Sequence, residues 1–245
     1  MFELRDRRAI VTGGGQGIGR AIASALLSRG AEVALVDRDA ALVAATAAEL
    51  GARGLVADVA DLQATRATLE RLIADWGRVD IVVNNAAVLS TLPFHALDEA
   101  EWDRVMAVNV RGAYGMCRAV VGTMVAQGYG RIINIASVAG KRGGGLFGSA
   151  AYATSKAALI GLTKALAREL APHRVTVNAI CPGPVQSAMT AGMAEERKAR
   201  ALSFVPLGRF AHPEEIAAAV VYLSSDEASF VTGEIVDVDG GIMMD

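Results

Sequence analysis

A tyrosine and a lysine four positions apart form the pattern in this sequence that is best suited to catalysis. Tyr152 and Lys156 belong to the segment Tyr-Ala-Thr-Ser-Lys. At this spacing both side chains project from one face of a helix, about one turn apart. A nearby ammonium group favours the phenolate, which predicts a tyrosine pKa below its usual value of about 10 and an acid or base usable near neutral pH. The alternative is a half-buried tyrosine that only lies beside a surface lysine.

A glycine-rich segment near the amino-terminus predicts a phosphate-binding turn. It reads Thr-Gly-Gly-Gly-Gln-Gly-Ile-Gly over residues 12–19, between a short apolar run and a helical pattern. Glycines allow a tight turn and a close approach to a diphosphate, and the following helix offers free N–H groups at its positive end. Flexible turns also collect glycines, but the place between strand and helix favours a dinucleotide. The predicted contacts are Gly13, Gln16, Gly17, Ile18 and Gly19.

Acidic residues after the next apolar runs extend this prediction. Asp37 stands where a carboxylate can accept hydrogen bonds from both ribose hydroxyls of an adenosine. The alternative is that it caps the helix that starts near Ala40, a role for which Asp39 competes. Asp58 and Val59 are predicted to border the adenine ring.

Together these motifs resemble those of the short-chain dehydrogenase/reductase family. The glycine segment, Asn-Asn-Ala-Ala at 84–87, Asn109, Ser137, the Tyr152 and Lys156 pair, and Pro-Gly at 182–183 follow the order of that family over essentially the whole chain. The resemblance implies a nicotinamide cofactor and a catalytic quartet of Asn109, Ser137, Tyr152 and Lys156. It also implies cofactor contacts from Asn85, Tyr152, Lys156, Val185 and Ser187.

The resemblance further assigns a role to each member of the quartet. Tyr152 would exchange a proton with the substrate oxygen, and Ser137 would hydrogen-bond that oxygen. Lys156 would lower the tyrosine pKa and hold a ribose, and Asn109 would anchor a water that relays the proton. The sequence departs from the family at Ala87, at Ser187 and in a longer spacing between Ser137 and Tyr152. The extra residues fall in the glycine-rich stretch 143–148.

The elements that must position these residues alternate between short apolar runs and longer helical patterns. Buried strands are predicted at residues 9–11, 33–36, 81–83, 131–135, 175–177 and 235–238. Helices are predicted at residues 20–29, 40–50, 62–76, 102–127, 153–170 and 213–224. This alternation predicts an α/β fold with a doubly wound parallel sheet of the Rossmann type, in a single domain over residues 1–245. The irregular, charge-rich segment around 184–204 is either a solvated helix face or a lid over the substrate.

Composition and charge argue against several classes of protein. The 245 residues are 53% hydrophobic with a formal net charge of −2, so we expect a sizeable core and no binding to nucleic acid or membrane. No apolar run approaches the ~18 residues that span a bilayer. Cys117 and Cys181 cannot form a disulfide framework, and no secretory signal pattern is present, which predicts a cytoplasmic protein. The three histidines share no ligand spacing, so we expect no metal site.

Three functions remain open at this point. The first is an NAD-dependent dehydrogenase of a secondary alcohol or ketone, such as a polyol, sugar or hydroxy compound. The second is a 3-oxoacyl thioester reductase of lipid synthesis, which the sequence also resembles, and the third is a non-catalytic dinucleotide-binding interaction protein. Competent side chains at all four catalytic positions disfavour the third. Asp37 and the neutral Gln16 disfavour the NADPH that such reductases commonly use, so NAD and a small alcohol or ketone are predicted.

The resemblance and two long alanine-rich helices also predict a homotetramer.

Overall fold

The residues described by the computed structural model of this protein, 1–144 and 148–244, form a seven-stranded sheet. All neighbouring strands are parallel, in the order β3-β2-β1-β4-β5-β6-β7. This confirms the predicted doubly wound α/β fold. The strands are β1 Arg8–Thr12, β2 Glu32–Asp37, β3 Arg53–Val56, β4 Ile81–Asn84, β5 Gly130–Ile135, β6 Val175–Pro182 and β7 Ile235–Val238.

Strand β3 is the one that the sequence patterns do not name. Its residues Arg-Gly-Leu-Val lie at the edge of the sheet and are mostly exposed, so they lack the continuous apolar run of a central strand. The central strand β5, by contrast, is buried at all six positions. Burial on both faces is what produces the continuous β-branched runs that sequence reasoning detects.

Helices cover both faces of the sheet. On one face α1 and α10 pack together over a core that includes Ile22 and Val220, and on the other α3, α5 and α7 pack over a core that includes Leu69 and Met116. The helices are α1 Gly17–Ser28, α2 Ala40–Leu50, α3 Leu62–Trp76, α4 Glu99–Met106, α5 Ala113–Gln127, α6 Val138–Arg142, α7 Ala150–Leu170, α8 Ala188–Ala191, α9 Glu195–Leu202 and α10 Pro213–Ser224. None of those described is long and apolar enough to cross a membrane.

Local capping explains why the bounds of α2 and α3 match the sequence patterns. The Asp39 side chain accepts a hydrogen bond from the N–H of Leu42 at 3.0 Å and caps α2, while Asp61 caps α3. Gly51 and Gly77 end the two helices with positive φ values of 71° and 70°. Because Asp39 provides the cap, Asp37 at the end of β2 is not needed for it.

The helix predicted over 102–127 is interrupted in the structure. A π-helical turn, Ala107–Gly112, separates α4 from α5. Turns of this kind insert an extra residue per turn and are frequent at functional sites. The apolar spacing runs on through this turn, so the sequence pattern alone predicts one continuous helix. Asn109 lies in the middle of the turn.

Candidate active site

A cavity of about 350 Å³ opens beside the carboxyl ends of the central strands, where the strand order reverses between β1 and β4. Ligands of open α/β sheets bind in this crevice. Every residue predicted to contact the cofactor lines the cavity, together with three of the four predicted catalytic residues. These are Gly13, Gln16, Gly17, Ile18, Gly19, Asp37, Asp58, Val59, Asn85, Ser137, Tyr152, Lys156, Val185 and Ser187.

The glycine-rich turn packs its backbone closely against α1. Gly13 has a φ of +62°, and a Cβ atom on Gly19 would lie 2.0 Å from the Gly13 carbonyl oxygen, so a larger side chain at either position is excluded. Helix α1 begins at Gly17, and the side chain of its cap residue, Gln16, makes no capping hydrogen bond. The first N–H groups of α1 therefore lack a side-chain cap at the cavity, which fits the diphosphate of a dinucleotide.

The carboxylate of Asp37 is held in place at one end of the cavity. One of its oxygens accepts a hydrogen bond from the N–H of Gly15 at 3.1 Å and the other from the N–H of Asp39 at 3.2 Å. Both bonds leave acceptor capacity on the carboxylate. A fixed acceptor at the end of β2 fits the two hydroxyls of an adenosine ribose. Arg38, the next residue, also lines the cavity.

Thr12 is a site residue that sequence reasoning passed over. Its hydroxyl accepts hydrogen bonds from the N–H groups of Asn85 and Ala86, both at 3.0 Å. The Asn85 side chain in turn donates to the carbonyl oxygens of Thr12 and Gly13, at 2.9 and 3.2 Å. These bonds tie the end of β1 to the end of β4 across the crevice. The signal was available, because Thr12 opens the glycine-rich motif.

At the other end of the cavity, Ser137, Tyr152 and Lys156 converge. The Ser137 hydroxyl accepts from the N–H of Ala139 at 3.1 Å, which caps α6, and it lies close enough to Tyr152 to lower the pKa of the phenol. Lys156 is 2% exposed, and its Nζ donates to the carbonyl oxygen of Ile135 at 2.7 Å. The same Nζ lies 5.7 Å from the centre of the Tyr152 ring. The structure thus brings the three side chains together at one end of the cavity.

The pKa values of this cluster correct one expectation from the sequence. Burial raises the pKa of Tyr152 to about 12, although the nearby Ser137 hydroxyl acts in the opposite direction. Burial likewise lowers the pKa of Lys156 to about 8. The expected lowering of the tyrosine pKa by the lysine is therefore wrong for this arrangement. Loss of hydration is the largest cause of both shifts in pKa.

Asn109 lies behind the cavity rather than in its wall. It is 1% exposed, and its side chain donates to the carbonyl oxygen of Val88 at 3.0 Å and to the hydroxyl of Ser155 at 2.9 Å, while accepting from the N–H of Val88 at 2.8 Å. Ser155 then donates to the carbonyl oxygen of Tyr152 at 2.7 Å. Both N–H bonds of the amide are used inside the protein, so its side chain has no donor left for a water. This geometry gives Asn109 a positioning role toward α7.

Substitution of Ser155 tests the hydrogen bonds that link Asn109 through Ser155 to Tyr152. In Ser155→Ala the buried amide of Asn109 loses an acceptor, and we expect the free energy of unfolding to fall by about 1–3 kcal/mol. We also expect kcat to fall severalfold at unchanged KM, since Tyr152 loses its link to Asn109. Urea unfolding and steady-state kinetics measure the two effects. Ser28→Ala is the matched control, because Ser28 donates to a carbonyl oxygen three residues earlier in the same way but is exposed. Equal effects of the two substitutions would contradict the positioning role.

Comparison with known proteins decides the family. A family model described as Enoyl-(Acyl carrier protein) reductase matches residues 13–243, nearly the whole chain. The chain belongs to the short-chain dehydrogenase/reductase family. This short-chain dehydrogenase/reductase is an oxidoreductase acting on CH–OH groups, as the sequence resemblance predicted. The alternative of a non-catalytic interaction protein is therefore excluded.

Relatives of this short-chain dehydrogenase/reductase are named for two kinds of substrate. The 3-oxoacyl-(acyl-carrier-protein) reductase FabG of Vibrio harveyi is 41% identical over 246 residues, which cover 99% of this chain and 100% of that protein. The FabG of Escherichia coli (strain K12) is 40% identical with the same coverage. A solved structure from Beutenbergia cavernae, described as an NAD(P) dependent gluconate 5-dehydrogenase with NADP at low occupancy, is 42% identical, with a TM-score of 0.94 and 98% of each chain covered.

Proposed function

We propose that this protein is an NAD(H)-dependent dehydrogenase that moves a hydride between nicotinamide and a secondary alcohol or ketone of a small polyol, sugar or hydroxy compound. The observation that carries the proposal is the fixed carboxylate of Asp37 at the adenosine end of the cavity. A carboxylate there binds the ribose hydroxyls of NAD and repels the 2′-phosphate of NADP. Gln16 adds no positive charge to offset this repulsion.

The residues of the cavity divide between two halves of the cofactor. The bound nicotinamide supplies the chemistry of hydride transfer, and the protein supplies orientation and proton transfer. In this proposal the adenosine half is held by the glycine-rich turn, Asp37, Asp58 and Val59. The nicotinamide half is held by Asn85, Tyr152, Lys156, Val185 and Ser187.

Tyr152 is the proposed acid and base. Because burial raises its pKa to about 12, its phenol keeps its proton at neutral pH and can donate it to the oxygen of a ketone. Ser137 lines the cavity near Tyr152, and in this proposal its hydroxyl binds the same substrate oxygen. Lys156 is fixed by Ile135 beside the ring, and Asn109 holds α7 through Ser155. In this proposal the first three of these residues are catalytic and Asn109 is a positioning residue.

The pKa of Tyr152 predicts how the two directions depend on pH. Alcohol oxidation needs the phenolate, whose fraction increases tenfold per pH unit far below a pKa of about 12. We therefore expect log kcat/KM for oxidation to rise with a slope of about 1 between roughly pH 6 and pH 9, while ketone reduction stays nearly level. Titration of Lys156, with a pKa of about 8, would appear as an inflection on this slope. A plateau for oxidation that begins near pH 7 would contradict the burial-dominated pKa.

One panel of substrates tests the proposal against its main competitor. The competitor is a 3-oxoacyl thioester reductase, which is favoured by the full-length similarity to the two FabG proteins. Secondary alcohols, polyols and 3-hydroxyacyl thioesters are assayed with NAD and NADP by nicotinamide absorbance. We expect the highest kcat/KM with NAD and a small polyol or hydroxy compound. A preference for the thioester with NADP would instead establish the reductase.

We also propose that residues 184–204 form a lid over the substrate. Pro184, Val185, Ser187 and Thr190 line the cavity, whereas α9 in the same segment is mostly exposed. A segment with one end at the site and one end in solvent can close after the dinucleotide has bound. Restricting its motion should therefore impair turnover more than cofactor binding.

A homotetramer is the proposed assembly. Tyr114 on α5 is 50% exposed and Phe230 is fully exposed, so large apolar side chains are available for contacts between subunits. We expect sedimentation to give about four times the 25.4 kDa of one chain at micromolar concentration. A mass near that of one chain would contradict this prediction.

The cytoplasm is the proposed location, and both cysteines are buried and unbridged.

A further inference from the structure

The charged side chains that line the cavity are distributed unevenly. Asp37 and Asp58 lie at the adenosine end with Arg38, whereas the charged residues at the reacting end are Lys156 and Arg142. The two ends follow β2 and β5, which are three strand spacings apart, or roughly 14 Å. Among the described lining residues, no carboxylate lies at the reacting end. The part of the cavity that receives the substrate is therefore electropositive.

Arg142 is placed there by the same helix that Ser137 caps. Val138, Ala139 and Arg142 all line the cavity, and their spacing puts them on one face of α6. The same helix is anchored by Lys141, whose Nζ lies 2.5 Å from a carboxylate oxygen of Asp237 on β7. The position of the arginine is thus coupled to that of the serine hydroxyl.

The guanidinium of Arg142 is oriented but has no anionic partner in the described residues. Its central carbon lies 4.9 Å from the centre of the Phe204 ring, at the end of the proposed lid. Across residues 1–144 and 148–244, Arg142 forms no ion pair or hydrogen bond with another side chain. Stacking on an aromatic ring uses the face of the guanidinium and leaves its in-plane N–H donors for a ligand.

We propose that Arg142 binds the carboxylate of the substrate, and that the substrate class is a polyhydroxy or oxo acid. This inference rests on the proposed function and adds the group that the enzyme recognises away from the reacting carbon. A planar guanidinium matches a carboxylate with two parallel hydrogen bonds. Lys156 is held beside Tyr152 by the Ile135 carbonyl oxygen and is assigned to the cofactor ribose in the proposed function, so Arg142 is the cation left for the substrate. A single guanidinium suits a singly charged carboxylate better than a doubly charged phosphate.

Matched pairs of substrates test this assignment. Aldonic acids of four to six carbons, gluconate among them, are compared with the alditols of the same carbon skeleton, in the wild type and in Arg142→Gln and Arg142→Lys. We expect the wild type to favour the acid, and Arg142→Gln to raise KM for the acid about 10- to 100-fold at nearly unchanged kcat. Alditol kinetics and the KM for NAD should stay the same, and Arg142→Lys should recover part of the loss. Arg71→Gln is the control, because Arg71 is an exposed cation of α3, outside both the cavity wall and the proposed lid.

Several results would overturn the inference. Equal kcat/KM for acid and alditol in the wild type, or an equal loss for both in Arg142→Gln, would show that Arg142 does not bind the substrate carboxylate while leaving the dehydrogenase intact. Reduction of 3-oxoacyl thioesters without turnover of any alditol or aldonic acid would instead remove the proposed function itself. In that case, Arg142→Gln could lose activity toward coenzyme A thioesters but not toward N-acetylcysteamine thioesters. This result would show that Arg142 binds a phosphate.

Discussion

Replacing Tyr152 by phenylalanine is expected to lower kcat about 10²- to 10⁴-fold, the usual contribution of a positioned acid or base. The phenyl ring preserves packing in the cavity wall, so the protein should fold normally. The substitution removes only the hydroxyl that, in the proposed function, carries the proton to the substrate oxygen. Lys156, with its Nζ bonded to Ile135, cannot replace that hydroxyl without leaving its site.

The measurement compares kcat, the free energy of unfolding and NAD affinity in the wild type and in Tyr152→Phe. Tyr222→Phe is the matched control, because Tyr222 lies on α10 and outside the cavity wall. The control should keep wild-type kcat, and Tyr152→Phe should keep wild-type stability within the error of the method. Retention of half the wild-type turnover by Tyr152→Phe would show that the proton has another donor. Lys156→Met should be similarly damaging and should also weaken cofactor binding.

The second large effect is expected from replacing Asp37 by serine, which should remove the discrimination between NAD and NADP. Two like unit charges about 4 Å apart repel by ~4 kcal/mol at an effective dielectric constant of 20. Screening by salt reduces this, and we expect the wild type to prefer NAD over NADP by roughly 30- to 150-fold in kcat/KM, or ~2–3 kcal/mol. Serine removes the negative charge, so NADP use should rise sharply. NAD affinity should fall, because the charge-assisted bonds to the ribose are lost.

The neighbouring residue Arg38 allows a second test of the role of Asp37. Arg38 lines the cavity beside Asp37 and is able to pair with a 2′-phosphate once the carboxylate is gone. The gain in NADP use should therefore be smaller in the double variant Asp37→Ser, Arg38→Gln than in Asp37→Ser. Dissociation constants of NADH and NADPH, measured by fluorescence titration, separate binding from turnover. Equal kcat/KM for the two cofactors in the wild type would refute the role of Asp37.

The sequence by itself determined the parts of this protein that depend on local patterns. The glycine-rich turn, Asp37 and the Tyr152 and Lys156 pair all line one cavity, as their spacing predicted. Helices α2 and α3 have the predicted bounds, because aspartate caps and terminal glycines lie next to the apolar periodicity that they delimit. Six of the seven strands were evident in the sequence, and five of these are largely buried, because burial on both faces leaves a continuous apolar run.

The tertiary structure alone decided the properties that depend on residues distant along the chain. Asn109 lies behind the cavity because its partners, Val88 and Ser155, are brought to it from the loop after β4 and from α7. The pKa of Tyr152 is raised rather than lowered because packing of the elements removes hydration from its phenol, and a four-residue spacing does not report hydration. Arg142 lines the cavity because α6 packs with that side toward it. Spacing along the chain places side chains on a helix or strand, but hydration and hydrogen-bond partners are set only when the elements pack together.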